Sequence, residues 1–447
     1  MLLEFKVSNY RSIGDEQVLS LVPSKRQKEF PLRIITNGKY ESLNGLALYG
    51  SNGSGKSNFM KAIGTMVFIV NSSANTSSTA RLPYDPFLLR EGYQNRDTFF
   101  EITFVLNRKR YRYGFTYNLQ SVKTEWLFRK SIGRETKLFE REGDVIDVRK
   151  SLNSKAGLID LAIDATRENS LFLTRCDMVN ITECKELMKW FSNLNVIDGT
   201  FTRHLEIQTA SLLQNDFYGK RIKDYLKSIC LNIVDVDVET KEFEDSDLPP
   251  GMNEHMKVAF RKELKGMTQV QVRAHHQKYN EEGNPTHMTI AWDWDERESS
   301  GSQKAMHLSG PVLWTLSNGG ILVIDEIEAN LHPLMTRSIV KAFLDPTKNI
   351  NNAQLIFTTH DANLLNSVQL RRDQIYFVEK NKWEGSELYS LSDFKFIGEK
   401  DGEIYTESER PDKDKTQRYL EGRYGAVPDL KDFNATISKL LWHEKGN

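Results

Sequence analysis

The chain opens on Met1-Leu2-Leu3-Glu4-Phe5-Lys6-Val7, an alternation that predicts a strand. Gly45-Leu46-Ala47-Leu48-Tyr49 is almost wholly apolar, as expected of a short strand buried on both faces. From Asn58-Phe59-Met60-Lys61-Ala62-Ile63 onward the apolar positions fall on one face of a helix. Strands are predicted again at Thr98 to Leu106, Tyr111 to Tyr117 and Ser121 to Arg129. Between about 155 and 230 the pattern turns mainly helical, as in Glu183 to Phe191 and Gly219 to Ile229, without long a/d heptads. Strands return at Gln269 to His275 and Met288 to Trp294, and a helix-like run follows at Ala305 to Leu316. Two buried strands, Ile321 to Ile324 and Gln354 to Thr359, and a closing hairpin from Ile375 complete the pattern. The polar run Asn71 to Thr79 reads as a mobile loop, and Gly398 to Lys415 as a charged, loosely ordered stretch.

This order predicts an α/β protein whose mixed sheet is split by a mainly helical insertion. Residues 1–150 would form the first half of the core, 151–265 the insertion, 266–400 the second half and 401–447 a charged C-terminal tail. A chain of 447 residues exceeds what one hydrophobic core usually supports, so more than one lobe is expected.

Between the strand at Gly45 and the helix at Asn58 lies Gly50-Ser51-Asn52-Gly53-Ser54-Gly55-Lys56-Ser57, a complete G-x-x-x-x-G-K-[ST] loop. Its glycines let the backbone curl so that N–H groups around Asn52, Gly53, Ser54 and Gly55 point at a β-phosphate. Lys56 would reach the β- and γ-phosphates, and the Ser57 hydroxyl would ligate Mg²⁺. A nucleoside triphosphate with Mg²⁺ is therefore the expected ligand. Ile321-Leu322-Val323-Ile324-Asp325-Glu326 is a buried strand ending in two acids, at the strand end where open α/β sheets bind ligands. Asp325 is expected to hold Mg²⁺ through water, and Glu326 to polarise the attacking water as general base. The two motifs are separated by far more chain than a compact nucleotide core needs, so a large segment must be inserted between them.

Upstream of the acidic strand, Glu298-Ser299-Ser300-Gly301-Ser302-Gln303 opens a helix and resembles the signature motif of ABC-type ATPases. That resemblance implies that Ser300, Gly301 and Ser302 bind a γ-phosphate held by the opposite subunit. Glu328-Ala329-Asn330-Leu331-His332-Pro333 stands where these ATPases carry a loop that touches the partner. His360, at a strand end, resembles their switch histidine. Leu3 to Ser12 is similar to the first strand and arginine loop of the RecF/SMC/OLD branch, with Arg11 as the implied ATP-binding arginine. More narrowly, the chain resembles the RloA/AbiLi-type AAA ATPases of bacterial restriction and abortive-infection loci. The E-S-x-G signature, the Asp325 to Pro333 run and the segment Tyr419 to Pro428 carry this narrower likeness. Residues of about 150–265 hardly share it. No glutamine is unmistakably placed as a Q-loop, with Gln94 a candidate, and Asn330 stands where many relatives carry serine.

The resemblance implies an ABC-type P-loop NTPase that works as a head-to-tail homodimer sandwiching two ATP molecules, since one chain carries one loop and one signature. Assembly beyond a dimer stays open. So does direct binding of DNA or RNA. The expected function is that of a sensor or regulatory ATPase in a bacterial anti-phage defence system, with a separately encoded effector, a nuclease by expectation. The alternative is a RecF-like DNA-binding ATPase of repair or replication.

Composition narrows this picture. A net charge of −1 gives no global basic field for nucleic acid. Cys176, Cys184 and Cys230 make no zinc or C-x-x-C spacing and read as reduced thiols, so a cytoplasmic protein without membrane segments is expected. The basic, aromatic run Asn107 to Tyr113 reads as a solvated hairpin rather than a nucleic-acid patch. His275, His276 and His287 lack a matching carboxylate set and read as polar surface. The segment after His360 is too short for a Toprim nuclease domain.

Overall fold

The computed structural model describes residues 1–152, 154–229, 232–242, 268–400, 403–428 and 437. Cys230, residues 243–265 of the expected insertion and nearly all of the expected tail beyond 428 lie outside the described residues. The chain forms two compact units: Met1–Ile197 with Gly319–Ile327 and Val340–Asn447, and Asp198–Asn318 with Glu328–Ile339.

The first unit begins with β1 (Leu2–Ser8), β2 (Gln17–Ser20), the small hairpin β3 (Ile34–Asn37) and β4 (Tyr40–Leu43), then β5 (Gly45–Tyr49) and α1 (Lys56–Ser72). There follow β6 (Thr98–Leu106), β7 (Lys109–Tyr117), β8 (Val122–Lys130), β9 (Thr136–Glu142) and β10 (Val145–Val148). These last five join β1 and β2 in an antiparallel sheet ordered β10-β9-β8-β7-β6-β1-β2. Asn107 and Arg108, both at positive φ (50° and 62°), make the two-residue turn between β6 and β7. The arginines beyond that turn pair within the fold: Arg110 with Glu135, and Arg112 with Glu101 and Glu135. The basic run is thus a hairpin, as its sequence suggests.

Helices α2 (Leu158–Asp164), α3 (Phe172–Met178) and α4 (Thr182–Ser192) lead into β11 (Leu194–Asp198), a strand inside a segment whose pattern reads as helix. Trp190 explains the packing of α4, stacking on Phe104 of β6 with ring centroids 3.8 Å apart.

The second unit contains α5 (Glu206–Leu213), α6 (Asp216–Ile229), the antiparallel sheet β12 (Ile233–Glu242), β13 (Thr268–Tyr279) and β14 (Pro285–Asp293), and the helix Ser300–Asn318. β12 went unread in the sequence, although Val234-Asp235-Val236-Asp237-Val238-Glu239 alternates strictly and Val236 is fully buried.

The remaining strands of the first unit are β15 (Ile321–Asp325), β16 (Gln354–Thr358), β17 (Ile375–Lys380) and β18 (Ser386–Ser390). They build a second sheet ordered β11-β15-β16-β5-β17-β18. β15, β16, β5 and β17 run parallel, and β18 returns antiparallel as the expected closing hairpin. Every residue of β5, β15 and β16 is buried, which is why their sequences are apolar runs rather than alternations. The fold is a mixed α/β one.

Two stretches are more ordered than their composition suggests. Within Asn71 to Thr79, α1 continues to Ser72 and a 3₁₀ turn follows at Ser73–Asn75. The Asn169 amide then donates to the carbonyls of Ser77 and Ala80, which fixes the loop. Likewise β19 (Lys395–Lys400) and β20 (Glu403–Ser408) pair as a hairpin inside the charged stretch. Just beyond it the buried Glu409 accepts from Arg418 and from the Tyr424 hydroxyl.

Gly114 on β7 has no room for a side chain, since a Cβ there would lie 2.6 Å from the Phe100 carbonyl oxygen and inside the Trp126 ring. Gly114→Ala is expected to destabilise the first unit by about 1–3 kcal/mol. Urea denaturation followed by tryptophan fluorescence measures this, and an unchanged midpoint would contradict the packing described.

Candidate nucleotide site

Because β16 lies between β5 and β15 and all three are parallel, their C-terminal ends share one edge of the sheet. The register pairs Leu48 with Thr358 and Phe357 with Ile324. The loop from β5, the acids from β15 and His360 after β16 therefore emerge side by side. A cavity of about 660 Å³ is lined by Asn52, Gly53, Gly55, Lys56, Ser57, Asn58, Glu326 and His360.

Local chemistry shapes each wall of that cavity. Gly53 and Gly55 adopt φ of 78° and 103°, a region that L side chains rarely enter, so the curl of the loop requires glycine at both. Lys56 is buried and folds back, its Nζ donating to the carbonyls of Gly50 (2.7 Å) and Ser51 (3.1 Å). Ser54 is buried behind the loop rather than lining the cavity. Asp325 is buried at the end of β15, and its Oδ1 accepts from the Thr358 hydroxyl at 2.5 Å. The same Thr358 Oγ1 accepts the Glu326 N–H at 2.7 Å, and Ile327 N–H donates to the Thr358 carbonyl. Thus Thr358 orients the aspartate and pins the turn in which Glu326 takes a left-handed φ of 47°. His360 is exposed at the cavity rim.

Other expected site residues lie elsewhere. Arg11 pairs with Asp85 (2.9 Å) and lines a separate cavity of about 380 Å³ that shares only Asn58 with the first. Gln94 is exposed in a 3₁₀ turn and does not line the site. Ser300, Gly301 and Ser302 belong to the second unit, at the start of the helix Ser300–Asn318, where Ser302 N–H donates to Ser299 Oγ. A Cβ on Gly301 would sit 3.0 Å from the Asn330 carbonyl oxygen. Asn58 and Thr358 were missed in the sequence. A threonine after the apolar run Leu355-Ile356-Phe357, shortly before His360, was the available signal for Thr358.

The residues present fit a nucleoside polyphosphate with Mg²⁺. Inward-curled amides and a buried lysine suit phosphate, while the Ser57 hydroxyl and Asp325 carboxylate are the hard oxygen ligands Mg²⁺ takes alongside phosphate. Among the described residues, no cluster of three or more His, Cys, Asp or Glu side chains offers a protein-only metal site.

Residues 46–366, more than two thirds of the chain, match the protein family described as "AAA domain, putative AbiEii toxin, Type IV TA system". The chain belongs to that family. No curated protein matches its sequence. Among solved structures it is similar to an Smc head bound to the C-terminal winged-helix domain of ScpA, at 10% identity and TM-score 0.40, covering 87% of this chain and 97% of that one. It is also similar to the recombination mediator RecF with ATPrS, at 13% identity and TM-score 0.31, covering 87% and 98%, and to RecF with ATP, at 13% and 0.31, covering 80% and 93%. Among the described residues no helix is long and apolar enough to cross a membrane.

Lys56→Ala is expected to abolish ATP binding, because the loop loses the cation expected to meet the phosphates when nucleotide binds. Thr358→Val, which cannot hold Asp325 or the Glu326 amide, should retain ATP binding but lose hydrolysis by about tenfold or more, the scale of one charge-assisted hydrogen bond. Isothermal titration and phosphate release check the two separately.

Proposed function

We propose that the protein binds and hydrolyses ATP and acts as the regulatory ATPase of a bacterial anti-phage defence system with a separately encoded effector. The observation that carries the ATPase reading is the convergence of Lys56, Ser57, Glu326 and His360 on one cavity. In this reading the loop amides and Lys56 bind the phosphates, and Ser57 with Asp325 hold Mg²⁺, which neutralises phosphate charge when bound. Glu326 takes a proton from the attacking water, and His360 contacts the γ-phosphate from the rim. The defence assignment is supported by the family's description as an AbiEii-type member of Type IV toxin–antitoxin systems and by the neutral net charge.

The Ser300-Gly301-Ser302 helix start is the proposed second half of a composite site, completed by a second copy across a two-fold axis. ATP then acts as interfacial glue, and hydrolysis releases it. An assembly larger than a dimer and direct contact with DNA or RNA are compatible with this scheme.

Glu326→Gln should keep ATP binding and slow hydrolysis by at least about a hundredfold, as for loss of a general base. Size exclusion with ATP and Mg²⁺ should then show a persistent dimer. Wild-type turnover would remove Glu326 from the mechanism. Ser300→Arg, at an exposed position, should bind ATP as a monomer without hydrolysing it.

The purified chain is expected to cut neither DNA nor RNA with Mg²⁺ or Mn²⁺, with or without ATP. Cleavage that survives Lys56→Ala would reveal a second active site. ATP-stimulated binding to duplex ends or gaps would favour the DNA-repair reading instead.

A further inference from the structure

The phosphate loop is held from behind by a chain of side-chain hydroxyls that lies outside the G-x-x-x-x-G-K-S motif. Asn58 Nδ2 donates to Ser12 Oγ at 2.6 Å, Ser12 Oγ lies 2.7 Å from Ser386 Oγ, and Ser386 Oγ donates to the Ser54 carbonyl at 2.6 Å. Proton counting fixes the direction of the middle link. The single hydroxyl hydrogen of Ser386 is engaged by the Ser54 carbonyl, so Ser12 donates to Ser386 and accepts from Asn58. The chain begins and ends on the phosphate-loop and helix-start segment, with the two serines supplied by the loop after β1 and by the first residue of β18. Ser386 N–H also donates to the Ser12 carbonyl at 2.7 Å, which fixes the two serines to each other independently of their side chains.

The consequence lies in the Ser54–Gly55 peptide. A trans peptide is planar, with its C=O and N–H pointing in opposite directions. Drawing the Ser54 carbonyl backwards onto Ser386 therefore turns the Gly55 N–H the opposite way, toward the cavity that Gly55 lines. We propose that Ser386, supported by Ser12, is a positioning residue for the phosphate site: it locks the Ser54–Gly55 peptide so that the Gly55 amide is aimed at the β-phosphate before nucleotide arrives. The proposal rests on the nucleotide-binding reading above and deepens it.

Three further observations agree. Ser386 is 2% exposed and Ser54 1%, so water does not replace the hydroxyl as a donor. A Cβ at Gly55 would fall 2.6 Å from Ser12 Oγ and would overlap Ser386 Oγ, so the absence of a side chain at 55 makes room for the two hydroxyls as well as permitting φ of 103°. Ser54 is also held at its own N–H, which donates to the Ser51 carbonyl at 3.2 Å. A donor fixed in advance costs no reorganisation when the phosphate binds, which is what makes such an amide effective.

The test uses the full chain with ADP and Mg²⁺ as the probe. Ser386→Ala is expected to weaken ADP about three- to tenfold, the worth of one hydrogen bond, and to shift the ³¹P resonance of the bound β-phosphate while leaving that of the α-phosphate in place. Ser386→Thr, which keeps the hydroxyl, should restore both. A merely structural serine would lower the unfolding temperature without moving the β-phosphate resonance. Should Ser386→Ala not fold, Ser12→Ala removes only the supporting donor from a half-buried position and should shift the same resonance by less. Wild-type affinity and an unmoved resonance in Ser386→Ala, or in Ser12→Ala if only that variant folds, would overturn the proposal. Failure of the wild-type chain to bind ADP at all would instead overturn the nucleotide reading on which it rests.

Discussion

The parallel run of β15, β16 and β5 is the constraint from which the site follows. Parallel strands deliver their C-terminal ends to one edge, and the register places Leu48, Phe357 and Ile324 within one residue of a common level. A phosphate loop and Glu326, far apart in sequence, thereby come to face one cavity, separated by a single intervening strand that brings Thr358 and His360. Parallel strands carry both faces in protein, so they are apolar throughout and leave polar chemistry only at their ends. That end is where Asp325 and Thr358 meet.

Keeping this edge in place requires polar groups buried at its flanks to be satisfied. Gln354, fully buried at the start of β16, accepts from Leu2 N–H and donates to the Leu2 and Leu43 carbonyls and to Ser42 Oγ, tying the antiparallel sheet to the parallel one. The C-terminal segment closes the opposite flank. Tyr419 packs edge-on against Tyr49, the residue before the phosphate loop, stacks on Phe377, and donates its hydroxyl to the Ala426 carbonyl. Burial there raises its hydroxyl to about 12. The strand end before the loop and the loop itself are therefore held by chain that a motif search leaves out.

What was legible in the sequence was whatever depends on short-range pattern. The apolar runs of β5, β15 and β16, the loop glycines and the acid pair each reduce to local periodicity or a fixed spacing; the strands form where the pattern puts them, and Gly53, Gly55 and Glu326 line one cavity. What was not legible depends on partners distant in the chain. Nothing near Ser386 signals that its hydroxyl meets Ser54, and nothing near Asn169 signals that its amide holds the polar run after α1. The hairpin β19–β20 reads as disordered because its low hydropathy is visible locally, whereas the Glu409, Arg418 and Tyr424 bonds beyond it join residues up to fifteen positions apart. β12 differs, since its alternation was present and was overlooked.

The second unit prepares its own candidate contact by the same means. Glu298, directly before the Ser299–Ser302 turn, accepts from His276 Nε2 (2.8 Å) and Trp292 Nε1 (2.9 Å), with the two rings stacked 4.2 Å apart. Asp295 accepts from His307 Nε2 and pairs with Arg203, while Trp294 Nε1 donates to the Ser302 carbonyl. Of the histidines that as bare residues invite a metal reading, His276 is thus committed to a carboxylate, as is His275, which lies 2.7 Å from Asp237 Oδ2. The His276 and His307 contacts are mechanical: they fix the path of the chain into a helix N-terminus whose dipole favours an anion. A helix start held this firmly discriminates by position, because an anion a few tenths of an ångström out of place loses hydrogen bonds that the turn cannot move to restore. The proposed signature, which would have to tell ATP from ADP by one phosphate, calls for that stiffness, and in this chain the stiffness comes from His276 on β13 and Trp292 on β14 rather than from the Ser-Gly-Ser residues themselves.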